Sequence, residues 1–181
     1  EEGISIYDGV QTKVYKPSEF HRQNANPIGN QTHFIAGDKD GNVFFDSDQS
    51  LIRYDIQTQK FSCLRKSNVY TVASIKGTIW VGIADSILTW NPDKNDFDFV
   101  TRLENRNQRA TCLLEDSGGR YWIGTTDGLF KMNDDKSLTC MIMGEDIYDL
   151  YEDSKYNLWI SIRMNGMYKR DVHGNFTRYR Y

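Results

Sequence analysis

Apolar and polar residues alternate in short runs along this chain, and turn-forming residues separate the runs. The last part of the chain contains four such runs, at 146–152, 158–162, 166–170 and 176–181. Alternation with a period of two, bounded by Asp, Asn and Gly, predicts β-strands joined by tight turns. No stretch has the 3.6-residue period of an amphipathic helix. The segment therefore predicts a four-stranded antiparallel meander.

The same pattern occurs four times, with a period of about 37 residues. The copies align on a large aromatic residue in the second run, at spacings of 36, 42 and 37 residues: Phe44, Trp80, Trp122 and Trp159. A second column lies ten residues further on, at Tyr54, Trp90, Met132 and Lys169. A third lies sixteen or seventeen residues after the anchors, at Phe61, Phe97, Leu138 and Phe176. A sequence period of this length is typical of folds that are built from repeated structural units.

The three earlier copies predict strands near 33–37, 42–46, 50–55 and 60–64, then 70–75, 78–83, 86–91 and 96–100, then 110–115, 120–125, 128–133 and 137–142. One meander cannot bury both of its faces, whereas meanders stacked around an axis bury each face against a neighbour. The sequence thus predicts one all-β domain over 1–181, a β-propeller with blades at about 31–64, 68–101, 109–143 and 146–181. The four aromatic anchors are expected to fill the space between blades.

Residues 4–8 and 11–15 match the third and fourth strands of a repeat, because Tyr7 and Val14 have the spacing of Tyr54 and Phe61. This predicts a half-blade at 1–16 and about four and a half blades in all. We therefore expect a fragment of a larger propeller, either an open arc or a homodimer whose exposed edges pair with a second copy.

Composition narrows the functional classes. The chain is 39% hydrophobic and 26% charged, which is typical of a folded globular domain. A net charge of −3 without a run of Lys or Arg argues against nucleic-acid binding. No apolar run is long enough for a membrane span, so this segment is expected to be soluble. Three cysteines without Cys-x-x-Cys spacing are expected to be free thiols: Cys63, Cys112 and Cys140.

The string at 115–129, Glu-Asp-Ser-Gly-Gly-Arg-Tyr-Trp-Ile-Gly-Thr-Thr-Asp-Gly-Leu, resembles the two-component regulator propeller repeat, with weaker echoes at 37–44, 79–82 and 152–161. The first copy departs from the pattern, with Phe44 and Asp46 where Trp and Gly are usual, and the second lacks the Glu-Asp pair. Such repeats occur in periplasmic sensor regions of bacterial hybrid two-component histidine kinases, particularly those that control glycan-utilisation genes.

The resemblance implies a non-catalytic sensor segment at the periplasmic face of the inner membrane. Its parent would carry further blades, a membrane span and kinase domains, and would pass an oligosaccharide signal to transcription. The motif residues themselves mark the scaffold rather than a ligand site. No kinase or receiver motif lies within the 181 residues.

Chemical motifs are weak. Asp38 to Asn42 looks like the start of a calcium loop but lacks ligands over twelve residues, so a hairpin turn is the better interpretation. Asp116 is displaced relative to the Asp-box of sialidase propellers. The histidines, His21, His33 and His173, have no partners at metal-binding or catalytic spacing. The sequence predicts no metal site, no cofactor and no catalytic residue.

The connections between blades and those between second and third strands share one rim, where propellers commonly bind ligands. This rim holds the connections 16–31, 102–109 and 163–165, and its candidate ligand-binding residues are Arg102, Arg106, Arg109, Arg163 and Tyr148. Clustered guanidinium groups can bind carboxylate or sulfate groups of an acidic glycan. The alternative is a solvated loop whose charge is balanced by Glu104.

The sequence therefore favours a sensing and interaction module. Two alternatives stay open: a propeller enzyme acting on polysaccharide, such as a lyase or glycosidase, and a purely structural scaffold. The absence of convergent acid and base residues favours the first interpretation.

Overall fold

A computed structural model of the chain describes residues 4–7, 9–15, 31–47, 49–105 and 107–180. The regular elements within these ranges are eighteen β-strands. Among the described residues there is no helix with the length and apolar character needed to cross a membrane. The chain begins with a hairpin of two antiparallel strands, β1 (Ile4–Tyr7) and β2 (Thr12–Tyr15).

Four antiparallel sheets, here called blades 1 to 4, follow in chain order, each with four strands. Blade 1 contains β3 (Ile35–Gly37), β4 (Val43–Ser47), β5 (Ser50–Asp55) and β6 (Lys60–Arg65). Blade 2 contains β7 (Val69–Ile75), β8 (Thr78–Ile83), β9 (Ser86–Asn91) and β10 (Asp96–Arg102). Blade 3 contains β11 (Ala110–Glu115), β12 (Tyr121–Thr125), β13 (Gly128–Met132) and β14 (Leu138–Met143). Blade 4 contains β15 (Ile147–Glu152), β16 (Leu158–Ile162), β17 (Met167–Arg170) and β18 (Phe176–Tyr179).

The predicted fold class is confirmed, since the chain forms antiparallel four-stranded meanders. The strand ends differ from the predicted ones by no more than two residues. The first strands of consecutive blades are neighbours: β7 contacts both β3 and β11, and β11 contacts β15. These strands are therefore innermost, and the blades are arranged side by side around them as in a propeller.

The hydrophobic cores lie between sheets. One core joins Phe44 and Leu51 of blade 1 to Val81 of blade 2, and Trp90 of blade 2 meets the Phe44 ring at 5.2 Å. Similar cores join blade 2 to blade 3 and blade 3 to blade 4. A fourth core lies between the β1–β2 hairpin and the other face of blade 1. Each blade is thus held by its neighbours.

The aromatic anchors occupy one register position but differ in exposure. Each pairs with a third-strand residue: Arg53, Thr89, Lys131 and Lys169 for Phe44, Trp80, Trp122 and Trp159 respectively. The Phe44 and Trp122 side chains are buried. Trp80 and Trp159 are half-buried, and Trp80 stacks on Tyr121 of blade 3 with the ring centroids 5.1 Å apart.

Two register predictions were wrong. In blade 4 the residue equivalent to Tyr54, Trp90 and Met132 is Arg170, which pairs with Phe176, because the hairpin between β16 and β17 is one residue longer than in the other blades. In the first hairpin Tyr7 pairs with Thr12 and not with Val14, whereas Tyr54 pairs with Phe61. A tighter turn therefore joins β1 to β2.

The Glu-Asp pair of the repeat has two structural roles. Asp116 accepts hydrogen bonds from the indole Nε1 of Trp122 at 2.7 Å and from the backbone N–H groups of Gly118 and Arg120. Asp153 binds Trp159 Nε1 in the same way at 2.8 Å. The glutamates reach the preceding blade instead. Lys76 of blade 2 donates to Glu115 of blade 3, and Ser117 of blade 3 donates to Glu152 of blade 4.

The segment that looked like a calcium loop is a hairpin turn of the same kind. The Asp38 carboxylate accepts hydrogen bonds from the backbone N–H groups of Asp40 and Asn42 and from the Asn42 side chain. These bonds use the carboxylate oxygens within the turn.

The three cysteines are free thiols, as expected.

The glycine of the Trp-x-Gly sequence lies at a close contact between two blades. A Cβ atom on Gly124 would lie 2.3 Å from Sγ of Cys112 and 2.7 Å from Cγ2 of Ile147 in blade 4. On Gly82, the equivalent in blade 2, it would lie 2.9 Å from Cβ of Ala110 in blade 3. Interiors packed this tightly do not accept an added methyl group without movement.

We therefore expect Gly124→Ala to lower the free energy of unfolding by about 1–3 kcal/mol, because the methyl group overpacks the contact between blades 3 and 4. Urea unfolding followed by tryptophan fluorescence measures the change. The control is Gly37→Ala, where the nearest atom to the new Cβ is the Asn42 carbonyl oxygen at 3.8 Å, and where we expect a change within about 0.5 kcal/mol. Equal effects of the two substitutions would contradict this account of the motif glycine.

A second prediction concerns Asp116. Burial raises the pKa of this carboxyl group, but hydrogen bonds from Trp122 and Arg120 and the Arg120 charge lower it by more, so the net shift is below the ordinary value of 3.8. At pH values above the ordinary pKa, the ionised group therefore stabilises the folded state. This contribution is lost as the pH falls through the lower pKa of the folded state.

Asp116→Asn should cost about 1–3 kcal/mol at pH 7, because an amide cannot satisfy all of these donors. The difference from wild type should narrow at pH values below 3.8. Urea unfolding at several pH values tests both statements, with the exposed turn residue Asp134→Asn as control. A deficit that is independent of pH would show that the carboxylate charge is not what holds the turn.

Candidate functional site

A β-bulge recurs near the start of the innermost strands. In blades 2, 3 and 4 the pairing with the second strand shifts between Val69 and Thr71, between Ala110 and Cys112, and between Ile147 and Asp149. The shift leaves one residue of each strand opposite no partner: Tyr70, Thr111 and Tyr148. Bulges redirect side chains and are frequent beside binding sites.

The equivalent residue of blade 1 is His33. It precedes Ala36 by three residues, just as Tyr70 precedes Ala73, and Ala36 and Ala73 pair with the anchors Phe44 and Trp80. We call His33, Tyr70, Thr111 and Tyr148 the inner column. The four blades thus contribute one side chain each to the same level of the structure.

The inner column lines a groove of about 660 Å³ that runs along the innermost strands. The residues that follow the column also line it: Phe34, Thr71, Cys112 and Asp149. Arg109 and Arg163 stand at its wall, at the start of β11 and just after β16. The groove is therefore built from residues of all four blades and not from one loop.

Arg109 is fixed against blade 2. Its guanidinium carbon lies 5.1 Å from the centroid of the Tyr70 ring, a cation–π contact between blades. Its Nη1 donates to the Gln108 carbonyl oxygen at 2.8 Å, and its backbone pairs with Thr126. The side chain therefore lies over an aromatic ring at the groove wall.

Arg163 makes a second arrangement of this kind within blade 4. Its guanidinium carbon lies 5.0 Å from the centroid of the Tyr148 ring, and its Nε donates to Asp146 Oδ2 at 2.9 Å. The Arg163 side chain is half exposed, and Tyr148 is 57% exposed. This pair therefore combines a cation and an aromatic face that are both accessible to a ligand.

Between the two pairs lies Thr111, a small side chain whose hydroxyl donates to the Ile147 carbonyl oxygen at 2.5 Å. Beside it, Cys112 is buried, and burial raises the pKa of its thiol to about 12. A thiol with such a pKa is a poor nucleophile at neutral pH. Over the described part of the chain, no group of three or more His, Cys, Asp or Glu side chains is placed to hold a metal ion.

Comparison with known proteins bears on the repeat first. Residues 106–127, which include the start of blade 3 and its Trp122 strand, match the family model of the two component regulator propeller. Blade 3 carries a two-component regulator propeller repeat. The resemblance of the string at 115–129 is thereby confirmed. No curated protein sequence matches the chain.

Solved structures share the fold. The extracellular domain of BT3049 from B. thetaiotaomicron, described as a hybrid two component system, superposes with a TM-score of 0.76 at 19% identity, over 99% of this chain and 26% of that one. The extracellular domain of BT4673, described likewise and from the same organism, gives 0.73 at 19% identity, over 86% and 23%. Virginiamycin B lyase from Staphylococcus aureus gives 0.67 at 15%, over 85% and 56%. This chain spans about a quarter of the two extracellular domains.

The structure brings together three of the five residues predicted for the rim. Arg109, Tyr148 and Arg163 line the groove. Arg102 lies at the end of β10 with its Nε 3.6 Å from Asp85 Oδ1 and is not part of the groove wall. Arg106 lies outside the described residues. The predicted rim residues therefore do not form one site: three lie in the groove, and Arg102 lies outside it.

His33 and Tyr70 also line the groove, although they are not among the residues predicted for the rim. A signal for them exists, because the inner column lies eleven residues before the anchor in three blades and ten before it in blade 2. Comparing this position across the four repeats would have identified His33, Tyr70 and Tyr148 together. The bulges at Tyr70 and Tyr148 are not visible in a single repeat.

Proposed function

We propose that this chain is part of the extracytoplasmic sensor region of a hybrid two-component histidine kinase, and that its groove binds an oligosaccharide. The regulator propeller repeat and the likeness to extracellular domains described as hybrid two component systems support the sensor role. The oligosaccharide is our inference from the groove.

The observation that carries the proposal is the pair of arginine–tyrosine contacts on the two sides of Thr111. Sugar rings have apolar faces that stack on aromatic side chains, and their hydroxyl groups require donors and acceptors beside those faces. Tyr70 and Tyr148 supply the aromatic groups, and Arg109 and Arg163 supply donors beside them. A groove of about 660 Å³ has the volume of a small-ligand site.

The charge of the groove favours an acidic glycan. Arg109 and Arg163 are permanently cationic, and the carboxylate among the described lining residues is that of Asp149. Asp146 pairs with Arg163 through Nε, so a ligand would meet this guanidinium at its terminal nitrogens. Guanidinium groups bind carboxylate and sulfate in a bidentate manner. A uronate or a sulfated sugar, bound between the two arginines, would meet both of these groups.

Signal transfer requires the rest of the parent. We propose that further blades, a membrane span and kinase domains complete it at the periplasmic face of the inner membrane, and that the sensor acts as a homodimer. Ligand bound across several blades would stabilise one relative arrangement of them, and a kinase responds to such a shift in population. Nucleic acid is not a proposed partner of this segment.

Binding fits the groove better than glycoside hydrolysis does. Hydrolysis of a glycosidic bond requires two carboxyl groups on opposite sides of the bond. Of the described residues that line the groove, one carries a carboxyl group, Asp149. The likeness to a lyase concerns the fold.

Isothermal titration of the 181-residue chain against trigalacturonate, a sulfated disaccharide and neutral oligosaccharides of equal length tests the proposal. We expect binding of at least one acidic probe, and Arg109→Ala or Arg163→Ala should weaken it by about tenfold or more, because each removes a charge-assisted hydrogen bond.

Two control variants make the result specific. Lys155→Ala removes the same charge from the hairpin turn at the opposite rim and should leave affinity unchanged. Arg102→Ala separates the two parts of the rim: a loss equal to that of Arg109→Ala would place the ligand on the 102–109 loop instead of in the groove. Absence of binding by every acidic and neutral probe would refute the proposed function.

A further inference from the structure

His33 differs from the other members of the inner column in what lies behind it. Blade 1 has Asp46 at the position that Gly82, Gly124 and Ser161 occupy in the other blades. The Asp46 side chain is 3% exposed. A carboxylate buried to this extent needs hydrogen-bond donors around it.

Among the described residues, Asp46 has three donors, which belong to His33 and Phe34, and both of these residues line the groove. Its Oδ1 accepts the backbone N–H of His33 at 2.7 Å and that of Phe34 at 2.6 Å. Its Oδ2 lies 2.9 Å from Nδ1 of the His33 ring. An ionised carboxylate only accepts hydrogen bonds, so this contact requires a proton on Nδ1. A neutral imidazole then has its lone pair on Nε2.

The hydrogen bonds from the backbone N–H groups of His33 and Phe34 do not by themselves explain why this position is an aspartate. In blades 2, 3 and 4 the same part of the innermost strand is held with glycine or serine at this position. A carboxylate is therefore not needed to form the inner column. What blade 1 gains from Asp46 is the second oxygen, which is directed at the His33 ring.

We propose that His33 is a ligand-contacting residue of the groove, accepting a hydrogen bond from a saccharide hydroxyl at Nε2, and that Asp46 is the positioning residue that fixes this tautomer. The inference rests on the proposed function, since it requires a saccharide in the groove. His33 lines the groove with Tyr70, and its side chain is 62% exposed. His33 would accept a hydrogen bond from a hydroxyl group at one end of the groove, and Arg163 would bind an anionic group at the other. The groove would therefore select acidic sugars whose hydroxyl group lies at the matching distance from the anionic group.

The first test needs no ligand. Long-range proton–nitrogen correlation spectra of the wild-type chain at alkaline pH should show the Nδ1–H tautomer of His33. Asp46→Asn keeps an oxygen for the two backbone N–H groups but directs an NH2 group at Nδ1, so the His33 tautomer should change to Nε2–H. Thermal unfolding of the variant checks that it is folded. An Nε2–H tautomer in the folded wild type would overturn the role of Asp46.

The second test uses the acidic probe that binds best among trigalacturonate and the sulfated disaccharide. His33→Phe keeps a flat ring without the acceptor and should weaken binding by about five- to tenfold, the effect of one neutral hydrogen bond. His33→Gln places an amide oxygen near the former Nε2 and should recover part of the loss. Asp46→Asn should weaken binding to a similar extent while His33 is still present.

The outcomes separate the two proposals. If the wild type binds an acidic probe and depends on Arg109 and Arg163, but His33→Phe and Asp46→Asn bind as wild type, the groove site stands and His33 is not a contact. If no probe binds, both proposals fail. If His33→Phe weakens binding and His33→Gln does not restore any of it, the ring contributes by packing, and the hydrogen bond at Nε2 is refuted.

Discussion

The close approach of neighbouring blades is the constraint on which the rest of this structure depends. A four-stranded sheet has two faces, and here the described cores lie between sheets. Gly82 and Gly124 set the distance, because a methyl group at either position would collide with the following blade. Glu115 and Glu152 add hydrogen bonds between consecutive blades at the opposite rim. The repeat motif is therefore mainly a description of how one blade fits the next.

The same constraint determines where binding can occur. Because the faces of the blades are used for packing, side chains free of that role are found along the innermost strands and on the rims. The bulges at Tyr70, Thr111 and Tyr148 take one residue per blade out of the pairing and present it to the groove. Each repeat thus carries one variable position on a rigid strand, and a rigid strand places a side chain more accurately than a loop would, as the proposed site requires.

The fold could be predicted from the sequence almost completely, because period-two alternation and turn residues recur in four copies and errors in one copy are corrected by the others. The wrong registers at Tyr7 and Lys169 occurred where turn length changes, since spacing along the chain counts the turn as well as the strand. The site was only partly predictable. Arg109, Arg163 and Tyr148 were rim candidates in the sequence, but the groove joins them to Tyr70 and His33 of other blades, and spacing within one repeat contains no information on those distances.

Blade 1 departs from the repeat at Phe44 and Asp46, and each departure has a structural consequence. Phe44 in place of Trp has no indole N–H, so Asp38 lacks the donor that Trp159 gives to Asp153, while its bond to Asn42 is the one that Asp153 also makes to Asn157. Asp46 in place of Gly brings a buried carboxylate to the edge of the groove, where it binds His33. A buried charged group lowers the stability of a protein unless hydrogen-bonding partners compensate for its lost hydration. Both substitutions weaken the match to the repeat, yet only the second changes the chemistry of the groove. Departures that bring new polar atoms to the inner column are therefore the ones that carry information on the ligand.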